Sequence, residues 1–215
     1  MAGCFISFEG GDGTGKSTQA AIVAKKLEER GYRVCVTREP GGTELGKQIR
    51  HLLLHGSDMG PRAEALLYAA DRAHHVDTVV RPALERGEVV LTDRYLDSSV
   101  AYQGVARQLG KDEVRNLSMW ATNDLLPDVT ILLDLSPEAS ARRTNERTGG
   151  KLDRLESAGD SFHAAVRKQF LQMAQEYSDR FAVVNADQTV DEVAADVWAV
   201  VEGALERRAI TVDAQ

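Results

Sequence analysis

Cysteine is scarce: two in 215 residues, Cys4 and Cys35, both inside short apolar runs. Two cysteines so placed read as small buried hydrophobes and leave no disulfide framework, as expected of a reducing cytoplasm. No apolar run approaches the length of a membrane span. The chain enters its first apolar run without a charged leader or a cleavage site, so no signal peptide is expected. An excess of basic residues is also missing. The net charge is −7, which argues against a general nucleic-acid binder while leaving room for a local basic pocket. There is no Asn-Lys-x-Asp guanine-reading motif, so a GTP switch is disfavoured. His74-His75 has no Cys or His partner at ligand spacing; the pair reads as ordinary helix surface, with no zinc site. Neither an internal repeat nor a linker interrupts the chain. One domain over residues 1–208 is expected, with 209–215 as a frayed tail.

What is present starts with Gly10-Gly11-Asp12-Gly13-Thr14-Gly15-Lys16-Ser17, followed by Thr18. This satisfies the phosphate-loop pattern G-x-x-x-x-G-K-[ST]. The apolar run Cys4–Glu9 precedes it, and a helical pattern with Ala20, Val23, Ala24 and Leu27 on one face follows. A loop in that context turns backbone N–H groups and a helix N-terminus toward phosphate oxygens. Lys16 would reach the β- and γ-phosphates of ATP, and the Ser17 hydroxyl would ligate Mg²⁺.

Strand and helix patterns then alternate. Further strands are expected at Arg33–Thr37, Val89–Asp93, Val129–Leu135 and Ala182–Asn185, apolar nearly throughout, as strands covered on both faces are. Leu45, Ile49, Leu52 and Leu53 mark a helix that Gly56 ends. A long helical pattern from Arg62 to Arg86 carries Leu66, Ala70, Ala73 and Val80, with Pro82 as a kink or break. Phe162, Val166, Phe170, Met173 and Tyr177 mark another helix. The last buries Val193, Val197, Val200 and Leu205 behind a capping box of Thr189 with Glu192. Gly31 and Gly87 sit where helix C-caps belong. The alternation means an α/β fold: a five-stranded parallel sheet of the P-loop NTPase kind, flanked by helices. Ligands bind such sheets beyond the C-terminal strand ends, where Glu9, Thr37 and Asp93 lie.

Other residues gather around those ends. Asp93 is placed to hold Mg²⁺, and Arg94 beside it to clamp a phosphate. Arg38-Glu39-Pro40-Gly41-Gly42-Thr43 follows the second strand; it is equally a functional segment or a turn needing Gly and Pro, the latter trans or cis. Arg142, Arg143, Arg147, Lys151 and Arg154 surround Gly149-Gly150, which fits a mobile lid over about 142–156 that brings arginines onto ATP. Tyr68 and Arg72, spaced i, i+4, share a helix face and could grip a nucleobase. The segment Ser98 to Gln103 adds polar groups near the Asp93-Arg94 corner.

Taken in order, Phe8-Glu9-Gly10, Thr37 to Thr43, Asp93-Arg94-Tyr95, Ala101-Tyr102-Gln103-Gly104 and Leu152-Asp153-Arg154-Leu155-Glu156 resemble segments of the thymidylate kinases, which phosphorylate dTMP with Mg-ATP. The resemblance runs from Phe5 to about Val201 and implies a nucleoside-monophosphate-kinase fold, a homodimer and a cytoplasmic enzyme. It assigns Asp12 to the acceptor 3′-OH and the metal region. It puts Tyr68 against the thymine ring, Arg72 on a thymine carbonyl and Arg94 on the acceptor phosphate. Ser99 and Gln103 become base contacts, Tyr102 crowds a ribose 2′-OH, and Arg38, Glu39 and Arg50 line the acceptor side. Some family members carry an Arg in the loop and none in the lid. Here the loop position is Gly13 and the lid has arginines, as in the bacterial type, with Arg147 as first choice for the catalytic cation and Arg143 on ATP.

The acceptor in that reaction is already an anionic phosphate oxygen, so no general base is required. The competing readings are another nucleoside-monophosphate kinase or a deoxynucleoside kinase. The second attacks through a hydroxyl and needs a carboxylate base, for which Glu9 or Glu39 would serve.

Overall fold

The structure, a computed structural model, describes residues 3–210, apart from the side chains of Arg147 and Thr148. Among these, β1 (Cys4–Glu9) leads into α1 (Lys16–Glu29), then β2 (Val34–Arg38), α2 (Glu44–His55) and α3 (Pro61–His75). A π-helical segment, Val76–Val80, joins α3 to α4 (Arg81–Glu85), and β3 (Val89–Asp93) follows. Next come α5 (Leu96–Ser99), a second π-helical segment Val100–Ala106, α6 (Lys111–Thr122) and β4 (Val129–Asp134). The remainder is α7 (Pro137–Thr148), α8 (Asp160–Glu176), β5 (Phe181–Asn185) and α9 (Val190–Arg207). No helix of the described residues is long and apolar enough to cross a membrane.

The strands form one parallel sheet in the order β2-β3-β1-β4-β5. Because side chains alternate across a strand, β1 divides its residues between two cores. Cys4, Ile6 and Phe8 pack with α1 and α9, while Phe5 packs with the first π segment, α4 and Tyr95. A third cluster joins Leu132 to α8 and the second π segment. The register sets Phe8 and Arg38 both beside Asp93, so β1, β2 and β3 end at one level and deliver their last residues to one place.

Local signals hold up well. Gly56 caps α2, Ser136 caps α7 through its Oγ and the Ala139 N–H, and Thr189 with Glu192 forms the expected box. Pro82 neither breaks nor sharply ends the long helix; the chain passes into the π-helical register just before it and accommodates the missing N–H. The strands β4 and β5 each differ by one residue at one end from the sequence expectation, and β2 is shifted by one residue at both ends.

Two expectations need correction. β2 and β5 are the sheet edges, so Val36 and Val183 are about half exposed and Cys35 is only half-buried. Apolar runs there do not mean cover on both faces. The other concerns α3. Of its apolar stripe, Leu66 and Ala70 are exposed and Ala73 is only half-buried, while the buried face carries Glu64, Asp71, Arg72 and His75 among small alanines.

The turn after β3 is anchored by a buried ion pair. Arg180, at the entry to β5, holds both oxygens of Asp97 at 2.7 and 2.8 Å and Thr130 Oγ1 at 2.6 Å. Thr130 in turn pairs with Ser7 between the two central strands. Asp97 is fully buried, so Arg180→Ala would leave a carboxylate stranded. The expected cost is about 3–5 kcal/mol, read from urea unfolding; a loss below about 1 kcal/mol would show that the pair does not anchor this turn.

Candidate active site

The phosphate loop runs between β1 and α1 under tight steric constraint. Gly10 has φ 134°, and a Cβ there would lie 2.5 Å from the Leu133 carbonyl oxygen. Gly13 has φ 73°, and a Cβ would come within 2.8 Å of the Ser140 carbonyl and of Thr144 Oγ1 on α7. Helix α7 is further tied down by the Ser140 hydroxyl, which donates to the Asp12 carbonyl. This packing leaves no room for a side chain at position 13, and so none for a loop arginine.

Lys16 is not the solvent-facing residue that the motif alone suggests. It is buried, and its Nζ donates to the carbonyls of Gly11 at 2.6 Å and Gly10 at 3.2 Å. Burial and the neighbouring Arg94 lower its pKa to about 8, against the pull of Asp93, Asp12 and Glu9. Ser17 and Thr18 are exposed at the start of α1, and Ser17 Oγ donates to Asp93 Oδ2 at 2.5 Å. Those two oxygens are a hard donor pair at the mouth of the loop.

Arg94 is the centre of the site. Its backbone lies in the left-handed region, φ 71°, an uncommon conformation for a non-glycine residue. Its guanidinium donates to Asp12 Oδ1 at 2.7 Å, the Gly10 carbonyl at 2.9 Å and Ser98 Oγ at 3.1 Å, and it stacks 5.1 Å from the Tyr102 ring centroid. Burial works against the Asp12 carboxylate, but Arg94 and Lys16 outweigh it and hold its pKa below the usual value. The strained turn is held from below by Glu9. One Glu9 oxygen accepts the N–H groups of Tyr95 (2.8 Å) and Ser98 (3.3 Å), and the other accepts the Ser98 hydroxyl at 2.6 Å.

Two hollows open from this centre. The first is lined by Tyr68, Arg72, Arg50, Ser99, Tyr102 and Gln103, together with Asp12, Glu39 and Arg94. In it Arg72 is fully buried. It donates to Glu39 Oε2 at 2.7 Å, Ser99 Oγ at 3.0 Å, Ser118 Oγ at 3.1 Å and the Tyr95 carbonyl at 3.3 Å. Arg50 donates to the Pro40 carbonyl at 3.0 Å, just past the cis Glu39–Pro40 bond. The second hollow contains the phosphate loop, Ser17, Thr18, Asp93, Arg38 and Arg143, and shares Asp12, Glu39, Arg50 and Arg94 with the first. The expected donor and acceptor residues thus fall into two compartments that meet at Asp12 and Arg94.

Around the second hollow lie the lid residues. Arg143 donates to the Ala186 carbonyl at 3.0 Å beyond β5, and Arg142 is exposed. The Arg147 side chain lies outside the described residues. Arg154 reaches the far wall instead, donating to the Leu53 carbonyl at 3.0 Å and pairing with Glu64 at 2.6 Å.

The sequence reading missed several members. His75, expected on the helix surface, is fully buried; its Nδ1 lies 2.9 Å from Glu39 Oε1 and its Nε2 2.6 Å from Thr37 Oγ1. Asp71 accepts the Gly41 N–H, and burial together with the charge of Glu39 raises its pKa to about 6. Glu64 is buried beside Gln103. A signal was available: Glu64, Tyr68, Asp71, Arg72 and His75 recur at core-facing helical spacing, a polar stripe where apolar residues are the rule.

A family model described as thymidylate kinase matches residues 8–197. A thymidylate kinase of Leifsonia xyli subsp. xyli is 59% identical over 203 residues, covering 94% of this chain and 95% of that protein. One of Bifidobacterium longum is 56% identical over 207 residues, covering 94% and 97%. One of an Exiguobacterium species is 47% identical over 199 residues, covering 92% and 93%.

Glu9 makes the site pH-sensitive in a defined direction. Burial, and then the charge of Asp97, push its pKa from 4.5 to about 7. Between those values the folded state holds a proton that the unfolded chain has released, so this group's contribution to stability falls as pH rises from 4.5 to 7. Glu9→Gln removes the effect. Denaturant titrations between pH 5 and 8 are expected to show the variant gaining on the wild type as pH rises; a constant difference would contradict this.

Proposed function

The chain belongs to the thymidylate kinase family and phosphorylates dTMP to dTDP with ATP; on that premise, we propose how its residues carry the transfer. The observation that carries the proposal is the meeting of two compartments at Asp12 and Arg94. ATP lies along the phosphate loop, with Gly10 to Thr18 around its phosphates, Lys16 on the β- and γ-phosphates, and Arg143 beside it. The acceptor fills the other compartment. Its phosphate is clamped by Arg94, its 3′-OH faces Asp12, and its base stacks on Tyr68 between Arg72, Ser99 and Gln103. Arg38, Glu39 and Arg50 complete that wall, and Tyr102 crowds the 2′ position.

Positioning and charge neutralisation suffice for such a reaction, because the attacking oxygen is already ionised. The two carboxylates that could serve a hydroxyl acceptor as base are both engaged. Glu9 accepts three hydrogen bonds from Tyr95 and Ser98, and Glu39 is held between Arg72 and His75. This disfavours the deoxynucleoside kinase reading. The Ser17 hydroxyl and the Asp93 carboxylate, hard oxygens in contact at the loop mouth, suit Mg²⁺. When bound, Mg²⁺ would neutralise charge on the ATP phosphates. The lid arginines Arg142, Arg143 and Arg147 supply the cation that Gly13 cannot.

We also place the enzyme in the cytoplasm as a homodimer. Leu66 and Ala70 are exposed on α3, and Trp120, 81% exposed, lies on α6, which packs against α3; these apolar side chains suit contact with a second copy.

Steady-state rates of ADP release with dTMP, its ribose counterpart, dCMP and thymidine test the substrate assignment. Strong preference for dTMP is expected in kcat/KM. Equal use of dCMP, or faster use of thymidine, would overturn it. Lys16→Met should lower kcat by about 10²–10³-fold with the circular dichroism spectrum retained; near-normal turnover at saturating ATP would remove Lys16 from the transfer.

A further inference from the structure

Glu64 was not among the residues that the sequence singled out, and neither the phosphate chemistry nor the family resemblance uses it. It is buried at 1% exposure on the inward face of α3. One oxygen accepts from Gln103 Nε2 at 2.7 Å and faces Arg107 Nε at 3.4 Å; the other lies 2.6 Å from Arg154 Nη1. A buried carboxylate is tolerated only when compensated, and here two arginines do so. The contact with Gln103 has a different consequence.

A glutamine amide can sit either way round, with nitrogen and oxygen exchanged, unless its partners choose. A carboxylate accepts and does not donate. Glu64 therefore takes the Gln103 NH₂ group and leaves the Gln103 carbonyl oxygen on the branch turned away from it. Gln103 lines the acceptor compartment together with Arg72, which donates and never accepts. The compartment thus offers a donor from one wall and an acceptor from another. A base edge that presents a carbonyl next to an N–H complements this pattern, as thymine does with O4 and N3–H. Cytosine presents an amino group next to an unprotonated ring nitrogen and is mismatched at both.

We propose that Glu64 is a specificity-determining positioning residue, which fixes the Gln103 amide so that its carbonyl oxygen meets the base N–H. The inference rests on the thymidylate reading and deepens it. Arg72 alone would reject the cytosine amino group; Glu64 adds rejection at the neighbouring ring nitrogen by removing the amide's freedom to turn over.

Glu64→Gln tests this, because the new amide is the same shape and can donate as well as accept. It frees Gln103 to present NH₂ to the base. The ratio of kcat/KM for dTMP to that for dCMP is expected to fall about tenfold, the scale of one mismatched buried hydrogen bond. The ratio of dTMP to dUMP, which share the same edge, is expected to stay within twofold. A folded variant in which all three acceptors fall by one common factor, or in which the dTMP to dCMP ratio holds, overturns the proposal. Gln103→Met, which keeps the length and removes the carbonyl, gives an independent arm. It should lower the same ratio to a similar extent, and adding Glu64→Gln to it should lower the ratio no further. An unchanged ratio in Gln103→Met also overturns the proposal. A wild type that uses dCMP as well as dTMP overturns the thymidylate reading itself, and this inference with it, before any variant is compared.

Discussion

The ion pair between Arg94 and Asp12 exists because three parallel strands end at one level. β1 delivers Glu9 and the phosphate loop, β3 delivers Asp93 and Arg94, and β2 delivers Arg38 and Glu39. Arg94 reaches Asp12 and the Gly10 carbonyl only from a left-handed backbone that costs of order 1–3 kcal/mol. The structure holds it there redundantly. Glu9 binds the two N–H groups that follow, Ser98 hands a hydrogen to Glu9 while accepting one from Arg94, and Arg180 pins Asp97 from the opposite side. Together these contacts restrict the guanidinium that both compartments share.

What was legible in the sequence was what local chemistry decides. The phosphate loop, the helix caps at Gly56 and Thr189, and the alternation of strands and helices depend on a few neighbouring residues, and all are as expected. Sheet order is decided by partners far away in the chain, so nothing within Val34–Arg38 marks β2 as an edge or exposes Val36. Helix α3 misled for a sharper reason. Hydrophobic periodicity assumes that the apolar face turns inward, but α3 turns its charged face inward because a polar compartment, not a core, lies beneath it. There Arg72 and His75 both bind Glu39, Asp71 accepts the Gly41 N–H and Glu64 accepts from Gln103, while Leu66 and Ala70 are left outside. His75 could not be recognised as buried until Thr37 and Glu39, some 36 to 38 residues away in the chain, were placed beside it.

The loop and the lid form one mechanical choice. With Gly13 packed against the Ser140 carbonyl and Thr144, α7 sits directly on the phosphate loop. A side chain at position 13 would push α7 away, so any cation supplied from above the phosphates has to come from α7 and the segment after it. The same segment reaches across to α3 through Arg154 and Glu64. Residues 140–154 are therefore connected to both compartments: to the loop through Ser140, and through Arg154 to Glu64, whose other oxygen holds Gln103.

The electrostatics of the centre follow from one carbonyl. Gly10 O accepts from both Lys16 Nζ and Arg94 Nη1. Two cations converging on a single acceptor repel each other, and Arg94 is the charge that lowers the pKa of Lys16 most. Asp12, Asp93 and Glu9 pull the other way, and burial is the largest cause of the depressed Lys16 pKa. The protein thus holds two cations side by side at the junction of the compartments, with carboxylates around them, in a buried setting where charge interactions are strong. Two phosphate-bearing substrates entering from opposite sides would each meet one of the two cations. The positive charge is fixed in place by folding, so bringing two anions together there requires little reorganisation at the moment of transfer. A hydroxyl acceptor would bring only one of those anions and leave Arg94 with Asp12 alone, which is the electrostatic reason that this centre suits a monophosphate over a nucleoside.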